Sequence, residues 1–473
     1  MDAILATYSR YYEDNPDIQF ASDDFGVDLK VQQYCTSMYQ VGMLVYALWN
    51  DENTIDTRCT TWAKEYTKVY YANLVLDNID KVSGDQAFKD NLAAEAHFLR
   101  AYCYFQLALA HTLYYDGKNG DELGITLKSS TSFEETSARA SLAKTWEFID
   151  ADVQAALKIT KKFVNNDGVG QTWRGTTAGV NAFAARYYLY RGDYTKAKTY
   201  AEDALKEYGV LMDYNTKMYF DPSQKETYKI NVGTPDEKEI VIEFPWTKPQ
   251  LDVAKNVLEW DEMLYARSSY NMYEWYVPSQ GLLDAFKTDV PGGDPHNDLR
   301  YHYFMHEDFG VRRAEKTDNG RLPGYCQFYD QAIVSGPNTA EMNLIIAECV
   351  ARSGDWSGSM AYVNKVRKNR IKADVYADLT ASSQADAIKK ILMERRREMP
   401  FTIRWYDLKR LNAYDPDNKV TIKRTFYPYT STSVLSGEPL MDYVLEPGSR
   451  HYAIPISNEE LANAAGLIEQ NKY

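Results

Sequence analysis

The residues with the most chemistry in them are crowded between Trp260 and Tyr276. There Trp260, Tyr265, Tyr270, Tyr273, Trp275 and Tyr276 are interleaved with Arg267, Asn271 and Glu274. A pyranose presents an apolar C–H face and a belt of hydroxyls, so flat rings beside bidentate polar groups suit it. The same rings could instead pack the segment onto a scaffold, and the residues alone leave both readings open. Trp49, followed by Asn50, Asp51 and Asn53, is a second ring-and-amide cluster. The candidate ligand-binding set is therefore Trp260, Tyr265, Arg267, Tyr270, Asn271, Tyr273, Trp275, Trp49 and Asn50. Two or three rings of ~150–250 Å², each half covered at ~25 cal/mol per Å², give roughly 4–9 kcal/mol before the costs of association. That predicts micromolar to millimolar affinity.

Other clusters point away from catalysis and metal binding. His296, His302 and His306, with Asp294 and Asp298, lack an HExxH motif and lie in a loop-rich stretch, so no zinc site is expected. Asp116, Asn119 and Asp121 lack calcium-loop spacing and read as a turn. No GxSxG elbow, phosphate loop, GxGxxG or papain-like cysteine context occurs, and no carboxylate pair stands out. The expectation is a protein without catalytic residues, metal or cofactor. Glu394, Arg397, Glu398, Arg404, Asp407 and Arg410 fall at i,i+3 and i,i+4 spacings suited to ion pairs tying two helices together.

The chain has 473 residues, 45% hydrophobic and 25% charged, with a net charge of -14, which disfavours nucleic acid and anionic lipid as partners. Tyrosine dominates the aromatics, 39 against 17 Phe and 9 Trp, so many tyrosines are expected at the surface. Five cysteines in no metal or CxxC spacing indicate neither a disulfide framework nor a structural zinc. The longest apolar stretch, 41–49, is too short to span a bilayer, and Met1-Asp2-Ala3 carries no leader signal, so the chain reads as mature or trimmed and soluble.

The elements that must position these residues are mostly helices. Apolar residues at three- and four-residue steps predict a long helix from Leu92 to Leu113, partnered by Trp62–Ile79, and others over Ser141–Ile159, Thr177–Tyr190, Thr195–Tyr208, Ser383–Met399 and Arg404–Asn412. ARYYLYRGDYTKAKTYAEDAL resembles a tetratricopeptide (TPR) unit, and AECVARSGDWSGSMAYVNKVR aligns with it without gaps, setting Gly354-Asp355-Trp356 over Gly192-Asp193-Tyr194. The two copies are separated by an insertion, 211–337, with one convincing strand at 239–244 and otherwise long loops. The fold class is mainly all-α: a TPR-like helical-repeat scaffold with a large loop-rich insertion containing short strands.

Several segments together resemble the SusD/RagB family. Glu95-Ala-His-Phe-Leu-Arg-Ala-Tyr-Cys-Tyr-Phe105 is similar to its EARFLRAxxYFxL helix, and Gly124-Ile-Thr-Leu127 stands where the family has GVPL. Glu394 to Arg410 looks like ERRxELxFEGxRxxDLxR, with Thr402-Ile403 in place of Glu-Gly. Val277 to Phe286 is similar to a mid-chain family segment, and Tyr452-Ala-Ile-Pro-Ile456 with Gln470-Asn471-Lys472-Tyr473 to the closing pieces. The resemblance implies four TPR-like helix pairs in one intertwined domain over 1–473. Its parts would be a helical portion 1–210, an insertion 211–337 as candidate glycan-binding region, and a C-terminal pair with the signature, 338–473. It further implies non-catalytic oligosaccharide binding, a SusC-like TonB-dependent outer-membrane porin as partner, and an outer-membrane, surface-exposed location through a lipid anchor on an N-terminal Cys not present here. A TPR-type peptide-binding adaptor and an all-helical glycoside hydrolase are the competing readings.

Overall fold

The computed structural model describes residues 13–14, 17–49, 60–166, 168–247, 260–270, 275–327 and 332–473. Its body is a succession of packed helices. The Thr60–Asn78 helix lies against Gln86–His111, which lies against Leu142–Ala156. Thr177–Tyr190 packs on Tyr194–Glu207, which meets Thr339–Arg352, and that helix is covered in turn by Trp356–Lys368 and Gln384–Glu398. The Arg404–Tyr414 helix closes the series.

Local chemistry sets the boundaries. Asp85 caps Gln86–His111 by accepting from Phe88 N, so the helix starts a turn and a half before the apolar periodicity does. Ser141 and Ser383 cap their helices through Lys144 N and Asp386 N. The two aligned hairpins are built alike. Gly192 (φ 75°) and Gly354 (φ 108°) take the left-handed turn, and Asp193 and Asp355 cap the following helices through Lys196 N and Gly358 N. Ala197, Ala201 and Ala204 are fully buried and let the second helix approach closely.

The insertion holds more strand than its sequence suggests. Lys238–Thr247 contains the expected strand, but its partner Met218–Ile230 falls where loop was expected. Asp221-Pro222 breaks the alternation, and the structure absorbs it as an irregularity between Phe220 and Lys225. Ser268–Tyr270 sits between Glu13–Asp14 and Ala332–Val334 in a three-stranded sheet.

The tyrosines divide between the surface, where many were expected, and the interior. Tyr39, Tyr102, Tyr104, Tyr187, Tyr190, Tyr214, Tyr325 and Tyr406 are buried. Burial is tolerable where backbone takes the hydroxyl proton: Tyr39 donates to Gly26 O and Tyr104 to Lys128 O. Cys35, Cys103, Cys326 and Cys349 are buried free thiols, and Cys59 lies outside the described residues. Among the described residues no helix is long and apolar enough to cross a membrane.

Candidate functional site

The described residues of the segment beginning at Trp260 are fixed to the scaffold at several steps. Glu262 is buried and accepts from Arg370 Nη2 at 2.7 and 2.8 Å and from Met212 N at 2.7 Å. Burial pushes its carboxyl up, against the pull of Arg370. Trp260 stands edge-on to Tyr214 at 6.1 Å. Tyr265 packs edge-on to Phe98 at 4.5 Å and Tyr102 at 5.6 Å, on the long helix. The Arg267 guanidinium lies 4.3 Å over the Tyr102 ring, and its carbonyl accepts from Ser335 N and Gly336 N. Trp275 is fully buried beside Phe309, and its Nε1 donates to Pro323 O at 2.9 Å.

This arrangement overturns the expectation of a solvent-facing aromatic shelf. Trp260, Tyr265, Arg267 and Trp275 are all core residues, with Trp260 and Tyr265 each 5% exposed. Among the described polar side chains here, Glu262 and Arg267 are buried and take internal partners instead of water. Trp49 is corrected on the same ground. It ends the Val41–Leu48 helix in a left-handed conformation, donates from Nε1 to Ala21 O at 3.1 Å, and has the Arg424 guanidinium 4.8 Å over its ring. Tyr270 is in the central strand, but its side chain, like Asn271, Tyr273 and Asn50, lies outside the described residues.

The charged signature is structural, as its spacing suggests, but it ties far more than two helices. Arg300 reaches Asp298 at 2.6 Å, Glu394 at 2.7 Å and Glu398 at 2.8 Å. Arg370 joins Glu398 to Glu262, and Arg395 joins Asp407 to Glu341, which also holds Arg186. Arg410 bridges Asp407 and Glu348, while Arg404 pairs with Asp23. Burial alone would raise the Glu348 carboxyl, but Arg410 and Arg352 outweigh it and hold it at about 2. The ion pairs thus form three buried clusters along the signature: one reaches the insertion through Arg300 and Glu262, one joins the two TPR copies through Arg186 and Glu341, and one holds the N-terminal segment at Asp23. Each member is paired, which is what makes burying so much charge tolerable.

The three histidines do not form one cluster. His296 Nε2 lies 3.3 Å from Glu307 and its ring 6.3 Å from that of His302, while the half-buried His306 packs on Phe244, where desolvation pushes it down to about 4. Among the described residues no group of three or more His, Cys, Asp or Glu is placed to hold a metal.

Several concavities open on the described surface. A cleft of about 680 Å³ lies between Asp23–Lys30, Pro278–Gly281 and Val420–Thr425. A cavity of about 460 Å³ is lined by Trp146, Tyr187, Tyr188, Arg191 and Asp150, but Arg191 lies over the Trp146 and Tyr187 rings. A groove of about 350 Å³ runs along the Thr60–Asn78 helix, with Tyr70 and Phe133 at its open side. Sequence reasoning missed this groove. The available signal was Phe133, a lone apolar ring in the polar run Lys128 to Ser137.

Comparison with known proteins adds two family matches. A family described as "Starch-binding associating with outer membrane" (SusD-like) matches residues 1–189, and the SusD family matches 339–473. SusD-like protein P2 of Formosa agariphila is 23% identical over 439 residues, covering 87% of this chain and 79% of that protein. Surface glycan-binding protein A from Bacteroides uniformis superposes with a TM-score of 0.65 at 15% identity, over 99% of this chain and 98% of its own. A laminarin-binding SusD-like protein does so at 0.59 and 15%, over 99% and 97%.

Proposed function

This chain belongs to the SusD/RagB family, and on that premise we propose that it captures an oligosaccharide at the cell surface and passes it, uncleaved, to a SusC-like TonB-dependent transporter of the outer membrane. The observation that carries the reading is the pair of family matches, which flank the insertion and fall on the helical scaffold. That a relative of the same fold is described as laminarin-binding supports a glycan as the ligand. Lipid anchoring at the outer membrane, with this domain outside the bilayer, is part of the same proposal.

The burial of Trp260, Tyr265, Arg267, Trp275 and Trp49 changes how the insertion would serve this function. These residues fix the frame, and the contacts we assign to the glycan fall to the remaining members of the sequence-derived set: Asn50, Tyr270, Asn271 and Tyr273. Affinity electrophoresis in gels containing laminarin, pullulan, galactomannan, arabinoxylan or pectic galactan tests this. The wild-type protein should be retarded by at least one glycan and release no reducing ends from it, and Asn271→Ala/Tyr273→Ala should remove the retardation while leaving the thermal midpoint unchanged. Full retardation of that variant would refute the assignment of contacts, and release of reducing ends would favour a hydrolase.

A further inference from the structure

The groove along the Thr60–Asn78 helix contains none of the residues just assigned to the glycan. Its volume of about 350 Å³ lies in the range of small-ligand sites. Trp62 is buried and Tyr66 donates its hydroxyl to Thr126 O, so these two supply the floor. Two rings remain open, Tyr70 at 43% and Phe133 at 95% exposure. Leaving a phenyl in water is unfavourable, and here it is held there by a well-fastened loop. Asn73 Nδ2 donates to the carbonyls of Lys128 and Ser130 at 3.0 and 3.1 Å, and Arg100 Nη1 donates to that of Ser129. Asp77 accepts from Thr131 N and Oγ1 at 2.8 and 2.7 Å, and Glu135 accepts from Ser129 Oγ at 2.6 Å. The ring is therefore positioned without being covered, which is the arrangement of a preorganised contact.

The polar groups of the groove select among ligands. Lys128 turns its ammonium onto the Glu135 carbonyl. Across from it, the half-buried Glu460 carboxyl meets no cation and no donor among the described residues, and burial together with Glu459 raises it. Asn463 lies one turn further along the same wall. An acceptor without a donor, an amide and two open rings match a neutral ligand with apolar faces and many hydroxyls. Two open rings are fewer than a closed aromatic box around a quaternary ammonium needs.

We propose that this groove is a second carbohydrate site, in which Phe133 and Tyr70 stack on the C–H face of a neutral pyranose and Glu460 and Asn463 bond its hydroxyls. The inference rests on the glycan-binding reading and adds a subsite that would strengthen retention of long chains by avidity. Phe133→Ala/Tyr70→Ala and Glu460→Gln, run in gels of whichever polysaccharide retards the wild type, should each weaken retardation, the double variant by about tenfold, with the thermal midpoint unchanged. Retardation equal to wild type in every such gel would overturn this site alone and leave Asn271 and Tyr273 in place. No retardation of the wild type by any polysaccharide would defeat the glycan reading itself, and the groove with it. Ligand-observed NMR with tetramethylammonium supplies the remaining arm: saturation transfer abolished by Glu460→Gln, with glycan binding untouched, would make this a cation site and overturn the proposal.

Discussion

Replacing Trp275 by alanine separates the two roles an aromatic segment could have. The ring is fully buried beside Phe309, and its Nε1 donates to Pro323 O. Burial of a side chain of ~150–250 Å² at ~25 cal/mol per Å² is worth about 4–6 kcal/mol, and loss of the hydrogen bond adds about 1. Partial collapse of the cavity reduces this, and Trp→Ala substitutions in cores cost roughly 3–5 kcal/mol. Trp275→Ala should therefore lower stability by about 4 kcal/mol, read from the urea midpoint at unchanged m-value by circular dichroism. The fraction that remains folded should still bind glycan. Phe133→Ala, in contrast, removes a ring that is 95% exposed and should change stability by less than about 0.5 kcal/mol. If Trp275→Ala instead costs under about 1 kcal/mol and abolishes glycan binding, the ring is a platform and the packing argument is wrong.

Other perturbations follow from single contacts. Burial without a carboxylate partner pushes Lys409 down to about 7, with its ammonium donating to Leu109 O and Thr112 O. Between pH 7 and about 10 the unfolded chain holds a proton that the folded chain releases, so stability should rise with pH there by up to about 1.4 kcal/mol per unit. Urea midpoints at pH 7.5, 8.25 and 9, above the histidine range, should show this slope for wild type and a clearly smaller one for Lys409→Met; equal slopes would refute it. A Cβ at Gly336 would lie 2.0 Å from the Tyr265 carbonyl oxygen, so Gly336→Ala should displace the anchored segment and cost more than about 2 kcal/mol in the same assay. Asp193→Ala and Asp355→Ala remove equivalent caps and should each cost about 1 kcal/mol; a markedly larger loss for one would show that the two copies are not equivalent.

Much of the scaffold is legible because helices declare themselves locally. Caps such as Ser141 and Ser383, the Gly-Asp turns at 192–193 and 354–355, and the apolar steps of the long helix depend on neighbours within a few residues. The Met218–Ile230 strand was not legible, since its pattern is broken at Asp221-Pro222 and only pairing with Lys238–Thr247 restores it. The site was misread for a related reason. Residue type announces that Trp260, Tyr265, Arg267 and Trp275 want a flat apolar partner beside polar groups, but a protein interior supplies that as readily as a sugar does. What decides is distant: Glu262 meets Arg370 and Arg267 meets Tyr102 across more than a hundred residues of chain. The same blindness hid the groove, whose walls come from residues 62–73, 126–137 and 460–468.

Glycan capture is the centre of this account, and a glycan array probed with the wild-type protein tests it most directly. The account predicts binding to one class of neutral oligosaccharide at micromolar to millimolar affinity, confirmed by calorimetry with the best array hit and with that hit recovered intact. Absence of binding to every neutral glycan on the array, with no heat from any, would contradict it.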